Sequence, residues 1–292
     1  MKNRAEAPIF HTAVCAGPKQ PLSQPGNCIR SFPARASHKE PGMESNMRVT
    51  EDLRYGEGEA ELYDLFCPDG EGTDVLIWFH GGGLEAGDRK NPPFAEDLTK
   101  KGIIVASAEY RLYPEAKFPD FVWDCAKAVR CILDRFRGSG KRVFVSGQSA
   151  GAYITLLLAF DERYFEAAGV DKREISGYIS DSAQITVHYN VLRERGMDTR
   201  LERIDEAAPI YFMSPESDFG RLYLICYEDD MPCRPEQNVL FYKGLLRTCP
   251  DQEVRFARLP GPHCHGSSER SESGRFDFND KVLEFLSLDG DR

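Results

Sequence analysis

Short apolar runs alternate with stretches of helical period along most of this chain. Glu61 to Phe66, Val75 to His80, Ile103 to Ala108, Val143 to Ser146, Ile175 to Ser180, Leu222 to Cys226 and Val254 to Leu259 are predicted as strands. Val75 to Phe79 and Ile103 to Val105 are continuously apolar, as strands covered on both faces should be. Phe118, Phe121, Val122, Cys125, Val129, Ile132, Leu133 and Phe136 keep i, i+3, i+4, i+7 spacing, which predicts an amphipathic helix with one face on the sheet. Similar stripes run through Val239, Tyr242, Leu245 and Leu246 and through Phe278, Val282, Phe285 and Leu286. Ala152 to Phe160 is almost wholly apolar, which predicts a helix buried all round. Strands alternating with helices imply an α/β architecture, a mostly parallel central sheet flanked by helices.

Two regions depart from this rhythm. In residues 1–46, Pro8, Pro18, Pro21, Pro25, Pro33 and Pro41 interrupt a polar stretch with no sustained period, so a disordered or loosely attached leader is expected ahead of one domain at 47–292. Met43 and Met47 stand just before the regular pattern, so the leader is expected to derive from an upstream start codon. Residues 183–212 carry Arg193, Glu194 and Arg195, then a helix-like pattern over Ile204 to Ala208 stopped by Pro209. They read as an insertion forming a small lid over the carboxyl edge of the sheet, where ligands bind in open α/β sheets.

Composition narrows the partners. Lys and Arg number 37 against 47 Asp and Glu, a net charge of -10, the wrong sign for gripping phosphate backbones or anionic lipid. Nucleic acid and membrane are therefore not expected. Nine scattered cysteines, odd in number and partly within apolar segments, fit buried thiols in a reducing compartment, and a cytoplasmic location is expected. The N-terminus has no apolar stretch long enough for a signal-peptide core, and no later run approaches a membrane span. The leader and lid leave room for a homodimer.

The chemistry concentrates where strands end. Val143 to Ser146 runs into Gly147-Gln148-Ser149-Ala150-Gly151 and then a helix, the strand, sharp turn and helix that expose a nucleophilic serine. A helix starting behind Ser149 points N–H groups and its dipole toward developing negative charge. His80-Gly81-Gly82-Gly83 follows the strongest buried strand, and the N–H groups of Gly82 and Gly83, with that of Ala150, could form an oxyanion hole. A phosphate loop would need a Lys-Ser or Lys-Thr pair, which Leu84-Glu85-Ala86-Gly87 does not supply. The strand at Leu222 to Cys226 ends in Tyr227-Glu228-Asp229-Asp230, offering a carboxylate, and Gly261-Pro262-His263-Cys264-His265 offers two of the chain's six histidines after the last strand. His263 and His265 flanking a cysteine would sit on one side of an extended strand, and without a third or fourth ligand no metal is expected. His11, His38 and His188 have no supporting context and read as surface or lid residues.

His80 to Asp88 (HGGGLEAGD), Glu109 to Pro119 (EYRLYPEAKFP), Asp124 and Gly147 to Gly151 (GQSAG) together resemble the small bacterial carboxylesterases related to hormone-sensitive lipase and to feruloyl and acetyl esterases. The resemblance covers roughly residues 50 to 290 and implies an α/β-hydrolase fold that cleaves small carboxylic esters with a Ser, Asp and His triad, without metal or organic cofactor. In such proteins the acid lies six residues ahead of a Glu-Gln pair, which here is Glu236-Gln237 and selects Asp230 over Asp229. The base usually follows a Gly by a few residues; His263 is favoured, with His265 as the alternate. Tyr110, Arg111 and Glu115 are expected to buttress the HGGG loop. Two other readings stand beside the esterase: a peptidase or amidase of the same fold, for which no propeller or larger specificity domain fits in 292 residues, and a non-catalytic ligand-binding homologue.

Overall fold

The computed structural model describes residues 47–287; the leader expected at 1–46, including Met43, lies outside them. Eight strands form one sheet: β1 (Met47–Arg54), β2 (Leu62–Pro68), β3 (Asp74–Phe79), β4 (Ile103–Ala108), β5 (Arg142–Gln148), β6 (Gly177–Asp181), β7 (Arg221–Asp229) and β8 (Glu253–Pro262). Their order is β1-β2-β4-β3-β5-β6-β7-β8. The first two strands pair antiparallel and β4 to β8 with β3 run parallel. The helices are α1 (Ala95–Thr99), α2 (Asp120–Phe136), α3 (Ala150–Phe160), α4 (Glu162–Ala168), α5 (Tyr189–Glu194), α6 (Arg234–Thr248), α7 (His265–Ser268) and α8 (Asp277–Ser287). This is the α/β-hydrolase architecture that the sequence leads one to expect.

The alternation of side chains along each strand builds two cores. Val75, Ile77 and Phe79 of β3 face a layer made by α2, α3, α4 and α6, while Leu76 and Trp78 face α1 and α8. Covering both faces is what permits the unbroken apolar run Val75 to Phe79 of β3, and each large side chain so buried contributes roughly 1.5–3 kcal/mol. All eleven residues of α3 are buried, which explains an apolar run with no polar face. No helix of the described residues is long and apolar enough to cross a membrane.

Three expectations need correction. The strand β1 has no counterpart among the predicted elements, because its exposed edge position lets it carry Arg48, Glu51, Asp52 and Arg54. Ile204 to Ala208 forms no helix: the Asp205 carboxylate accepts the Ala207 N–H at 3.0 Å and its carbonyl the Ala208 N–H at 2.8 Å, closing a turn instead. His188, expected as a surface or lid residue, lies within 183–212 but not at the surface; it is fully buried, against Tyr153 and Tyr189.

Candidate active site

Because the central strands run parallel, their carboxyl ends share one edge of the sheet, and the segments singled out from sequence all begin there. His80 follows β3, Ser149 follows β5, Asp230 follows β7 and His263 follows β8.

Ser149 sits between β5 and α3 at φ 53, ψ -109, a conformation that non-glycine residues seldom adopt and that costs on the order of 1–3 kcal/mol. The chain doubles back so tightly that only glycine fits two residues to either side. A Cβ on Gly147 would lie 2.3 Å from the Gly151 carbonyl, and one on Gly151 would lie 2.1 Å from the Phe79 carbonyl oxygen. The Ser149 N–H donates to the Asp181 carbonyl at 2.7 Å, and its carbonyl accepts the Tyr153 N–H at 2.9 Å.

The Ser149 hydroxyl meets His263 Nε2 at 2.8 Å, and His263 Nδ1 is hydrogen-bonded to Asp230 Oδ1. A carboxylate only accepts, so Nδ1 carries the proton and Nε2 is left to accept from the serine. The Asp230 side chain is fully buried. Burial alone would raise its pKa, yet the His263 hydrogen bond and charge, the Met231 N–H at 2.7 Å and the Arg234 guanidinium hold it below the usual carboxylate range. Arg234 is itself buried and donates to the Ser182 carbonyl at 2.6 Å.

His265 does not join this group. Cys264 takes a left-handed conformation (φ 58) and ends the extended chain, so the two histidines do not share one side of a strand as the sequence reading has it. The His265 ring packs under Gly261 and its Nδ1 faces the Glu269 carboxylate at 3.7 Å. Among the described residues no cluster of three or more His, Cys, Asp or Glu could hold a metal ion.

The glycine loop after β3 abuts the serine, with the Cβ position of Gly81 3.3 Å from Ser149 Cβ. Gly82 and Gly83 have φ of 101 and 67, and a Cβ on either would fall 2.0 Å from the Ala86 carbonyl oxygen or the Tyr189 hydroxyl. Among the described residues the N–H groups of Gly82, Gly83 and Ala150 have no acceptor, so they are free to bind an oxygen beside Ser149. The loop is braced from beneath by His80, whose ring nitrogens meet the Gly81 carbonyl and Glu109 Oε1, each at 2.7 Å, while the Tyr110 hydroxyl donates to the His80 carbonyl at 2.9 Å.

Of the three residues expected to buttress this loop, Tyr110 does. Arg111 turns away to pair with buried Asp124, at 2.8 Å through both Nε and Nη2, and Glu115 makes no hydrogen bond or ion pair among the described residues. Several contributors had no signal in the sequence. Asn190 of α5 donates to the Gly83 carbonyl, and Arg193 pairs with Glu85 at 2.6 Å, so the 183–212 segment is latched onto the glycine loop. Asp181, Ser267 and the half-buried Gln148 form a cluster beside His263; Ser267 lies 86 and 119 residues from the other two in sequence, which hides it.

Known proteins of similar sequence and shape fit this picture. Esterase LipI of Mycobacterium tuberculosis is 34% identical over 98 residues, covering 32% of this chain and 31% of that protein. Kynurenine formamidase of Danio rerio is 29% identical over 132 residues, covering 43% of this chain and 44% of its own length. The chain thus spans less than half the length of these relatives. Among solved structures, esterase B of Lactobacillus rhamnosis superimposes with a TM-score of 0.66 at 18% identity, over 83% of this chain and 86% of the other. Est2 of Thermogutta terrifontis does so with a TM-score of 0.63 at 16% identity, over 84% and 92%. Likeness at that identity speaks for the fold. Residues 63–217, just over half of the chain, match the BD-FAE family, and this protein, with its α/β-hydrolase sheet, belongs to it.

Proposed function

We propose that this protein is a serine hydrolase of small carboxylic esters, with Ser149 as nucleophile, His263 as base and Asp230 as the acid that orients the imidazole. The 2.8 Å contact between the Ser149 hydroxyl and His263 Nε2, with Asp230 on the far side of the ring, carries this reading. His263 takes the Ser149 proton as the oxygen attacks the ester carbonyl, and Asp230 stabilises the imidazolium that forms. The carbonyl oxygen, now negative, is received by the N–H groups of Gly82, Gly83 and Ala150; each donor of this kind is worth about 10² to 10³ in turnover. His263 then passes its proton to the departing alcohol, and the same imidazole activates a water that releases the acid. No metal or organic cofactor enters any of these steps.

The segment at 183–212 acts as the lid of this site, and the BD-FAE match together with the named esterases among the relatives favours carboxylic esters as substrates. The formamidase similarity favours, as a second reading, cleavage of an aryl formamide by the same residues. Seven free cysteines among the described residues favour a reducing, cytoplasmic setting. The test is hydrolysis of p-nitrophenyl esters from acetate to decanoate alongside an aryl formamide. Preference for short esters supports the proposal; cleavage of the formamide alone would move the amidase ahead, and a folded protein inert toward all of them would favour a binding role.

A further inference from the structure

A second carboxyl group lies buried beside the proposed catalytic group. Asp181 ends β6, pairs in register with Gln148 of β5 and Ile225 of β7, and is fully buried. Its carbonyl accepts the Ser149 N–H, and its Oδ2 accepts a hydrogen bond from the Ser267 hydroxyl. Ser267 lies in α7, the short helix directly after His263 and Cys264, and its oxygen accepts from Gln148 Nε2 at 2.9 Å. Of the two acceptors within reach of the Ser267 hydroxyl, the Asp181 carboxyl and the Cys264 carbonyl at 3.2 Å, Asp181 is the nearer. Gln148 Nε2 also reaches Ser268 at 2.7 Å, and the Gly266 N–H donates to the Tyr227 hydroxyl at 3.0 Å. Three successive residues of the turn bearing His263 are therefore tied to β5, β6 and β7.

Asp230 already occupies His263 Nδ1, so hydrolysis as described makes no use of Asp181. An unused carboxyl in this interior would be expensive. We propose, building on the esterase reading, that Asp181 is a positioning residue for His263: through Ser267 it pins the turn that carries the imidazole, and its carboxylate favours the imidazolium formed when Ser149 loses its proton. The ionisable groups facing it are Tyr227 and Cys226 of β7, Asp230 beyond that strand, and His263 and Cys264 in the turn before α7; Arg234 of α6 faces Asp230 and Cys264. Burial pushes the Asp181 carboxyl up to about 6, against the opposing pull of Ser267, Tyr227 and the His263 charge. It is thus ionised near neutral pH, where it can hold a proton on His263.

Asp181→Asn keeps the shape and an acceptor for Ser267 but removes the charge. The decisive readout is the NMR titration of the His263 ring in wild type and Asp181→Asn, assigned with His263→Gln. A midpoint lowered by about half a pH unit or more in the Asn variant is expected, with the acid limb of kcat/KM on p-nitrophenyl acetate moving the same way. An unchanged midpoint would overturn the proposal. Because the titration needs no turnover, it decides the matter even if wild type cleaves no ester, a result that would sink only the esterase reading. Should Asp181→Asn fail to fold, Ser267→Ala provides the second arm: severalfold loss of kcat at unchanged KM is expected, and wild-type kcat would count against the latch.

Discussion

The two halves of the site are held by different forces. Ser149 is fixed by backbone geometry and hydrocarbon: a strained elbow between two glycines that admit no Cβ, backed by α3 with every residue buried. His263, at the mouth of a turn whose strand β8 lies at the sheet edge, is fixed by side-chain hydrogen bonds to Asp230, Ser149 and, through its neighbours, Asp181, Gln148 and Tyr227. A nucleophile needs one invariant position, and steric exclusion supplies it. A base must change charge during the reaction, and polar contacts that respond to charge suit that task.

Changes at the elbow should therefore act all or none. Ser149→Ala is expected to remove esterase turnover by a factor on the order of 10⁴ or more while thermal unfolding stays close to wild type, as steady-state assays beside calorimetry will tell. Asp230→Asn lies in the histidine's half yet is expected to approach the same loss, about 10⁴ in kcat, because it strips the one partner that sets the His263 tautomer. Gly151→Ala, which drives a methyl into the Phe79 carbonyl, should cost stability first, a few kcal/mol in urea titrations.

Around the turn, effects should be graded and dependent on pH. The folded-state pKa of Asp181 is raised, so its favourable contribution is complete below about pH 4 and is lost as pH rises toward 6. Urea denaturation of wild type beside Asp181→Asn should show wild type losing roughly 2–3 kcal/mol relative to the variant between about pH 4 and pH 7; a constant difference would mean the group does not titrate there. The smallest effect belongs to His265→Ala. Its ring touches neither Ser149 nor Asp230, and kcat/KM within about threefold of wild type is expected; a collapse of activity would reassign the base.

The same contrast governs what could be read from the residues alone. The elbow and the glycine loop are local: strand, glycines and helix follow one another within a few positions, and steric demands write themselves into composition. The central strands are legible because burial on both faces makes them mostly apolar, with the few polar residues, such as Ser146 and Asp181, toward their carboxyl ends. Edge strand β1 escapes notice, since solvent on one side tolerates Arg48 and Glu51. So does Asp181, which in sequence is one acid among 47 Asp and Glu; its meaning depends on Ser267, 86 residues away. The turn at Ile204 to Ala208 misleads for a related reason: the Asp205 side chain competes for backbone N–H groups that a helix would have used.

An acyl-enzyme on Ser149 is the intermediate that this mechanism requires. Protein mixed with p-nitrophenyl acetate, quenched in acid during the burst and digested for mass spectrometry, should show an acetyl adduct on the peptide containing Ser149 and none in Ser149→Ala. Steady ester turnover with no adduct on Ser149, or with the acyl group on another residue, would contradict it.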